Sequence, residues 1–260
     1  MTGLAFSAAS VIRGPGEMAV MTVEVTKRIF TKPFQFREFI EQAWFITSVT
    51  LMPTILVSIP FGAVISLQVG NLTGQLGAQS FAGATAVLAT VREAAPIAAA
   101  MIIAGAAGSA ICSDLGARRI REEIDAMEVL GIDPLERLVA PRVVATMFVA
   151  AMINGIVIAA GIGGGYFFTV IVQDGSAGAF LSSFTALASL PDLYIAMIKA
   201  IIFGFLAAIV GAYKGLNAGG GPLGVGRAVN ESVIVAFMLL FFLNAVISAI
   251  YFQVVPPVGL

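Results

Sequence analysis

Arg92 and Glu93 stand about a dozen residues into an apolar run that begins near Phe81, and Lys199 stands less than two turns into another that begins near Leu193. An ionised side chain at the centre of a bilayer costs about 2.5–3.5 kcal/mol on insertion scales, so a charge placed there marks a functional site by default. At 1.5 Å per residue Arg92 and Glu93 fall roughly 18 Å from the start of their run, near mid-depth. Neighbouring residues on a regular helix point about 100° apart, so the two cannot simply pair with each other. Pro96 adds a local feature, because it lacks the N–H that would bond the carbonyl of Arg92. Two readings fit these charges: an ion pair made to another helix, or the lining of a polar ligand path. For Lys199 the choices are snorkelling to the headgroup level, facing an acidic or phosphate-bearing ligand, or standing opposite Glu93. Asp192, just after Pro191, is expected in the first helical turn, where the helix dipole favours a carboxylate.

A second constellation is polar throughout. Residues 113–134 combine Arg118, Arg119, Arg121, Glu122, Glu123, Asp125 and Glu128 with an apolar stripe of Ile120, Ile124 and Met127. The segment reads as a short helix at about 114–130, with Ser113 or Asp114 as cap and a stop at Gly131 and Pro134. Arg118–Glu122, Arg119–Glu123 and Arg121–Asp125 stand at i,i+4, worth at most a few tenths of a kcal/mol each. Such a helix is either a solvated loop or an element that docks into a groove on a cytoplasmic partner.

Other chemistry is missing. There is no G-x-x-x-x-G-K-[ST] run, so the chain has no ATP site of that kind. With no histidine and one cysteine, Cys112, neither a disulfide nor Cys/His catalysis or metal binding is expected. Cys112 reads as a small packed residue. Gly219-Gly220-Gly221-Pro222 follows a helix and reads as a flexible turn. The net charge of −1 gives no reason to expect a nucleic-acid partner.

The elements that must position these residues are spans. The chain of 260 residues is 59% apolar and 11% charged, against roughly 45–50% and about 25% for a soluble domain. Five stretches are long enough to cross a bilayer, each near the required ~20 residues or longer: about 44–69, 81–112, 143–172, 193–213 and 232–254. Pro53 and Pro60 fall in the first, a Gly161–Gly165 cluster in the third, and Pro256-Pro257 closes the fifth. The expected fold is all-α and membrane-integral, with residues 1–43 forming an amphipathic segment that lies in the interface. There Met18, Met21, Val25 and Ile29 recur at helical spacing, and Phe34, Phe36, Phe39 and Ile40 follow Pro33. Met1–Val20 lacks the pattern of a cleaved signal. Lys and Arg concentrate before the first span, between the second and third, and between the fourth and fifth, while 70–80 and 173–191 contain none. The N-terminus is therefore expected in the cytoplasm and the C-terminus outside. Five spans do not divide into inverted halves. Small residues at 98–100 and 104–110 are expected at helix packing faces, within the chain or between subunits.

Three runs carry a family resemblance: Arg92-Glu93-Ala94-Ala95-Pro96, then Ala104-Gly105-Ala106-Ala107-Gly108-Ser109-Ala110, then Glu122 through Leu135, closing with Pro141-Arg142. Together they resemble the MlaE/YrbE permeases, membrane subunits of ABC transporters that work with MCE-domain lipid carriers. Looser likeness continues through Ile198-Lys199 and Gly224–Ala228. The resemblance implies a permease subunit in the cytoplasmic (inner) membrane, with Arg92, Glu93, Pro96 and Lys199 along a lipid path. It further implies a cytoplasmic ATPase, holding ATP and Mg²⁺, that grips the 114–130 helix, and an MCE assembly on the outer side. The chain itself would carry no cofactor and no catalytic residue. Likeness to the YrbE permeases of actinobacterial Mce import systems implies a heterodimer with a second permease rather than a homodimer. One departure is Ala106, where the family often has Arg. The alternative function is a non-transporting membrane scaffold.

Overall fold

A computed structural model describes residues 8–30, 35–77, 82–172, 176–187 and 190–254. Pro33, Phe34, Phe81 and Pro256-Pro257 lie outside the described residues, as do parts of the 70–80 and 173–191 connections. Among the described residues the fold is helical throughout, and five helical stretches are long and apolar enough to cross a membrane: Phe36–Gln75, Thr85–Ile120, Leu135–Val172, Leu190–Leu216 and Gly221–Gln253. The chain is an all-α, multi-pass membrane protein.

In order, the elements are α1 (Ala8–Ile29), α2 (Phe36–Gln75), α3 (Ala82–Ala89), α4 (Ala95–Ile102), α5 (Ser109–Ile120), α6 (Glu123–Val129), α7 (Ala140–Tyr166), α8 (Ala177–Leu187), α9 (Leu190–Leu216) and α10 (Gly221–Val254). The second span is α3 to α5, run together through two π-helical turns at Thr90–Ala94 and Ile103–Gly108. Two more π turns, Leu135–Val139 and Phe167–Val172, flank α7. Single π turns inside α-helices often mark functional positions.

Small residues set the helix crossings. On α2 the buried residues Thr50, Thr54, Ser58, Gly62 and Ser66 repeat every four positions and face α7. A Cβ on Gly62 would come within 2.0 Å of the Gly161 carbonyl oxygen, and one on Gly164 within 2.3 Å of the Ile59 oxygen. The hydroxyls of Thr50, Thr54 and Ser58 each turn back onto the carbonyl four residues earlier, so no polar group is left open in the seam. The small run of the second span is used the same way against α9, where a Cβ on Gly211 would sit 2.5 Å from the Gly108 oxygen. Close backbone approach is how membrane helices gain packing energy without a hydrophobic driving force.

One boundary differs from expectation. Phe36, Phe39 and Ile40 form a continuous extension of the first span rather than a separate interfacial piece. Nothing interrupts the helix between Phe36 and Trp44, and the Arg37–Glu41 and Glu38–Gln42 pairs, both i,i+4, support it. The Met21/Val25 stripe of α1 packs onto the bundle, against a cluster that includes Ile111, Leu115, Ile124 and Val139. A further helix, α8, occupies the 173–191 connection and packs on α3. Its Phe180 meets Tyr166 edge-on at 5.5 Å.

Candidate functional site

The π turn at Thr90–Ala94 projects Arg92 and Glu93 in different directions, and each finds its own partners. Arg92 Nε donates to Asp192 Oδ1 at 2.6 Å. The Tyr251 hydroxyl donates to the same oxygen at 2.7 Å, and the Tyr251 ring lies 5.8 Å from the guanidinium carbon, within cation–π reach. Glu93 Oε1 accepts from Lys199 Nζ at 3.1 Å and from Ser248 Oγ at 2.7 Å, while Oε2 accepts from Asn244 Nδ2 at 3.0 Å. Lys199 also donates to the Arg92 carbonyl at 3.0 Å and to Ser248 Oγ at 2.7 Å. An ammonium has three N–H donors, and all three are engaged.

Lys199 does not snorkel. It is 1% exposed and stands opposite Glu93. The Arg92 partner Asp192 is in the first turn of α9 and Tyr251 in the last turn of α10, so Arg92 sits level with the ends of those helices. α3, which leads into the π turn, packs on α8 and α2. Asn244 is seven residues before Tyr251, which carries the polar column about 10 Å further in.

Four ionised groups thus form a neutral set: Arg92 with Asp192, Lys199 with Glu93. Breaking such a pair by removing one partner costs about 3–5 kcal/mol, because the other charge is left uncompensated. Exposure is uneven. Asp192 and Lys199 are closed off, whereas Glu93 keeps 35% of its side-chain surface open. Asn244 Oδ1 is buried and has no hydrogen-bond partner among the described residues.

Asp192 was expected only as a helix-start residue, and Asn244, Ser248 and Tyr251 were not anticipated at all. A signal existed for the last three. They stand at i, i+4 and i+7 in the apolar, Phe-rich part of α10 that follows Ser232, which places them on one face.

At the Arg-rich end, α5 continues the second span to Ile120, so Ser113 and Asp114 lie inside a helix and cannot cap one. The break comes at Glu122, whose φ of +61° is left-handed, and α6 follows. The expected i,i+4 pairs are replaced accordingly. Asp114 binds Arg118 at 3.2 Å, Arg118 lies 3.7 Å from Glu123, Arg121 binds Glu123 at 2.7 Å, and Arg119 binds Asp125. The Arg121 hydrogen bond holds the Glu123 carboxyl below its usual range. Ile124 is 3% exposed and Met127 packs beside it, so this stripe faces inward. Ile120, on the other side of the break, lines a groove with Val225 and Val229. What α6 and its C-terminal cap present outward is Val129 (87% exposed), Leu130 (74%), Asp125 and Glu128. Beside them opens a groove of about 1060 Å³ between α1, α6 and α9, edged by Glu17, Glu24, Glu128 and Arg119.

No group of three His, Cys, Asp or Glu residues that could hold a metal occurs among the described residues. Cys112 is buried in the seam between α5 and α10.

Known proteins place the chain in context. Residues 39–250 match the family described as Permease MlaE. The chain is similar to a probable ABC transporter permease of Rickettsia bellii, 29% identical over 242 residues, which is 92% of either chain. It is 31% identical to one of Rickettsia prowazekii over 229 residues, 87% of either chain. A third, of Synechocystis, is 32% identical over 192 residues, covering 74% of this chain and 73% of its own.

Proposed function

Because the chain belongs to the MlaE permease family of ABC transporters, we propose that it is the membrane-spanning subunit of a lipid transporter, lining the lipid path and taking its drive from a separate ATPase. The observation that carries this reading is the Glu93–Lys199 pair. It is a neutral, fully engaged charge set inside an apolar bundle, with one carboxylate partly open to what lies beside it. A lipid needs a route that is apolar for its chains yet tolerates a polar head. The cluster around Glu93 supplies polar groups, and one turn further along the same helices Ile97, Phe203 and Leu240 supply apolar ones, packed closely together.

By the distribution of Lys and Arg, the α6 end lies in the cytoplasm of an inner membrane, with the C-terminus outside. There the ATPase, which binds ATP and Mg²⁺, takes hold of the outward face of α6: Val129, Leu130, Asp125 and Glu128. Its closure displaces the 121–130 segment and, through α5, the π turn that bears Arg92 and Glu93. Only interactions that differ between two states of the bundle can couple the two sites, and the ion pairs at both ends supply such interactions. The likeness to YrbE permeases supports a heterodimer with a second permease, MCE-domain proteins on the outer side and import as the direction.

The test is ATP-dependent lipid transfer by the transporter purified through this chain and reconstituted in vesicles. Glu93→Gln, made together with Lys199→Met so that no buried charge is left unpaired, is expected to abolish transfer while leaving the subunits assembled. Transfer at the normal rate would overturn the reading. Mass spectrometry of the co-purified subunits and lipids names the partners and the substrate.

A further inference from the structure

Arg142, in the first turn of α7, is the largest fully buried side chain among the described residues, 1% exposed. Its guanidinium donates to the Leu138 carbonyl at 3.0 Å and, through one terminal nitrogen, to Asp114 Oδ2 at 2.7 Å. The same nitrogen lies 3.4 Å from Glu38 Oε1 on α2. Asp114 in turn holds Arg118, whose guanidinium lies 3.7 Å from Glu123 at the start of α6. Five side chains of alternating sign, Glu123–Arg118–Asp114–Arg142–Glu38, therefore run unbroken from α6 to the first span; Arg142 is closed off from solvent and the other four are half-buried.

Stability alone does not require this arrangement. Buried ion triads can often be replaced by apolar residues of similar volume at no loss. What the ions supply is a choice of partner. One nitrogen faces two carboxylates on different helices, closer to one than the other, so a sub-ångström displacement of α5 would move it from Asp114 to Glu38. Room for that change exists, since a cavity of about 250 Å³ borders the hub and is lined by Gln42, Phe45, Ala110, Asp114 and Arg118. Packed interfaces respond to small shifts by switching between discrete arrangements rather than deforming continuously.

We propose that Arg142 is a positioning residue that passes displacement of α6 to the first and third spans, by exchanging its contact between Asp114 and Glu38. The inference rests on the reading that the 121–130 segment receives the ATPase. A route through packing alone, from Ile124 onto α1 and α7, is the competing path.

The experiment uses the assembled transporter, purified through a tag on this chain and reconstituted, with Cys112→Ala as background for nitroxide labels. One label pair joins Ala126, exposed on α6 and outside the face assigned to the ATPase, to Phe148 and reports α6 against α7; the other joins Ile40 to Phe148 and reports α2 against α7. The principal variant is the triple Glu38→Gln/Asp114→Asn/Arg142→Met, which leaves no buried charge unpaired, while the half-exposed Arg118 keeps Glu123. Arg142→Lys keeps the charge but not the fork, and it carries the same measurements if the triple variant does not assemble. Nucleotide is expected to shift both distances in the wild type but only the Ala126–Phe148 distance in the variant. Lipid transfer is expected to fall about tenfold, with ATP hydrolysis changed by less than about twofold. A variant that keeps normal transfer, or the Ile40–Phe148 shift, overturns the inference alone. A wild-type preparation without any ATPase overturns the inference together with the reading beneath it.

Discussion

Lys199 donates both to the carboxylate of Glu93 and to the backbone carbonyl of Arg92, the carbonyl that Pro96 is unable to serve. A span interrupted by proline and a π turn is thus held by a side chain from another span. The second and fourth spans meet through a charge-assisted bond on one side and a backbone repair on the other.

Removing Lys199 should therefore be worse than removing both charges. Lys199→Met is expected to cost about 3 kcal/mol, the low end for a broken buried pair because Glu93 stays partly open. Lys199→Met/Glu93→Gln should recover a large part of it. A double-mutant cycle on unfolding in detergent reads the difference, and strictly additive losses would deny the pairing.

Tyr251 combines a hydroxyl bond to Asp192 with a ring over Arg92. Tyr251→Phe removes only the bond to a charged acceptor, for an expected loss of about 1.5–3 kcal/mol. Tyr251→Ala removes the ring contact as well and should lose more. Equal melting temperatures for the two variants would mean that the ring contributes nothing.

Glycine spacing in the α5–α9 seam should show as a sharp contrast between positions. Gly211→Leu puts a side chain where a Cβ already falls 2.5 Å from the Gly108 oxygen, and folded yield by size-exclusion chromatography should collapse. Gly105→Ala, with open space at its Cβ, should match the parent protein.

Glu122 adopts a left-handed conformation that costs a non-glycine residue about 1–2 kcal/mol. Glu122→Gly is expected to raise the melting temperature, and Glu122→Val to lower it. A lower melting point for the glycine variant would show that the Glu122 side chain outweighs its backbone strain.

Two apolar residues ten Å or less apart along the 121–130 segment should behave oppositely. Leu130→Asp leaves the fold intact and is expected to prevent co-purification of the ATPase. Ile124→Asp places a charge in the cluster of Met21, Val25 and Leu138, and should destabilise the chain itself. If Leu130→Asp retains the ATPase at wild-type levels, the outward face of α6 is not the docking surface.

Much of this was legible along the chain. Apolar runs longer than a bilayer needs fixed five spans, because each span must satisfy its own backbone hydrogen bonds and so declares itself locally. Arg92, Glu93 and Lys199 announced themselves by their cost in such runs, and Pro96 by the donor it lacks. The identity of the family was carried by short motifs of unusual composition. Less legible were the helix breaks: Asp114 looks like a cap only if a helix begins there, and continuation of the second span removed that role.

Pairing was a different matter. That Arg92 belongs to Asp192 and Tyr251, and Glu93 to Lys199, Asn244 and Ser248, depends on which faces of three spans meet. Local sequence does not encode that choice. It is set by glycine-permitted close approach at Gly108–Gly211 and by a π turn that rotates two adjacent charges onto different neighbours. Arg142 shows the limit most clearly. In sequence it is one more cation at the end of a span, and only the packing of α2, α5 and α7 around it makes it a buried hub. Residue type and spacing determined what must be buried and what it would cost; tertiary structure alone decided with whom each charge would share that burial.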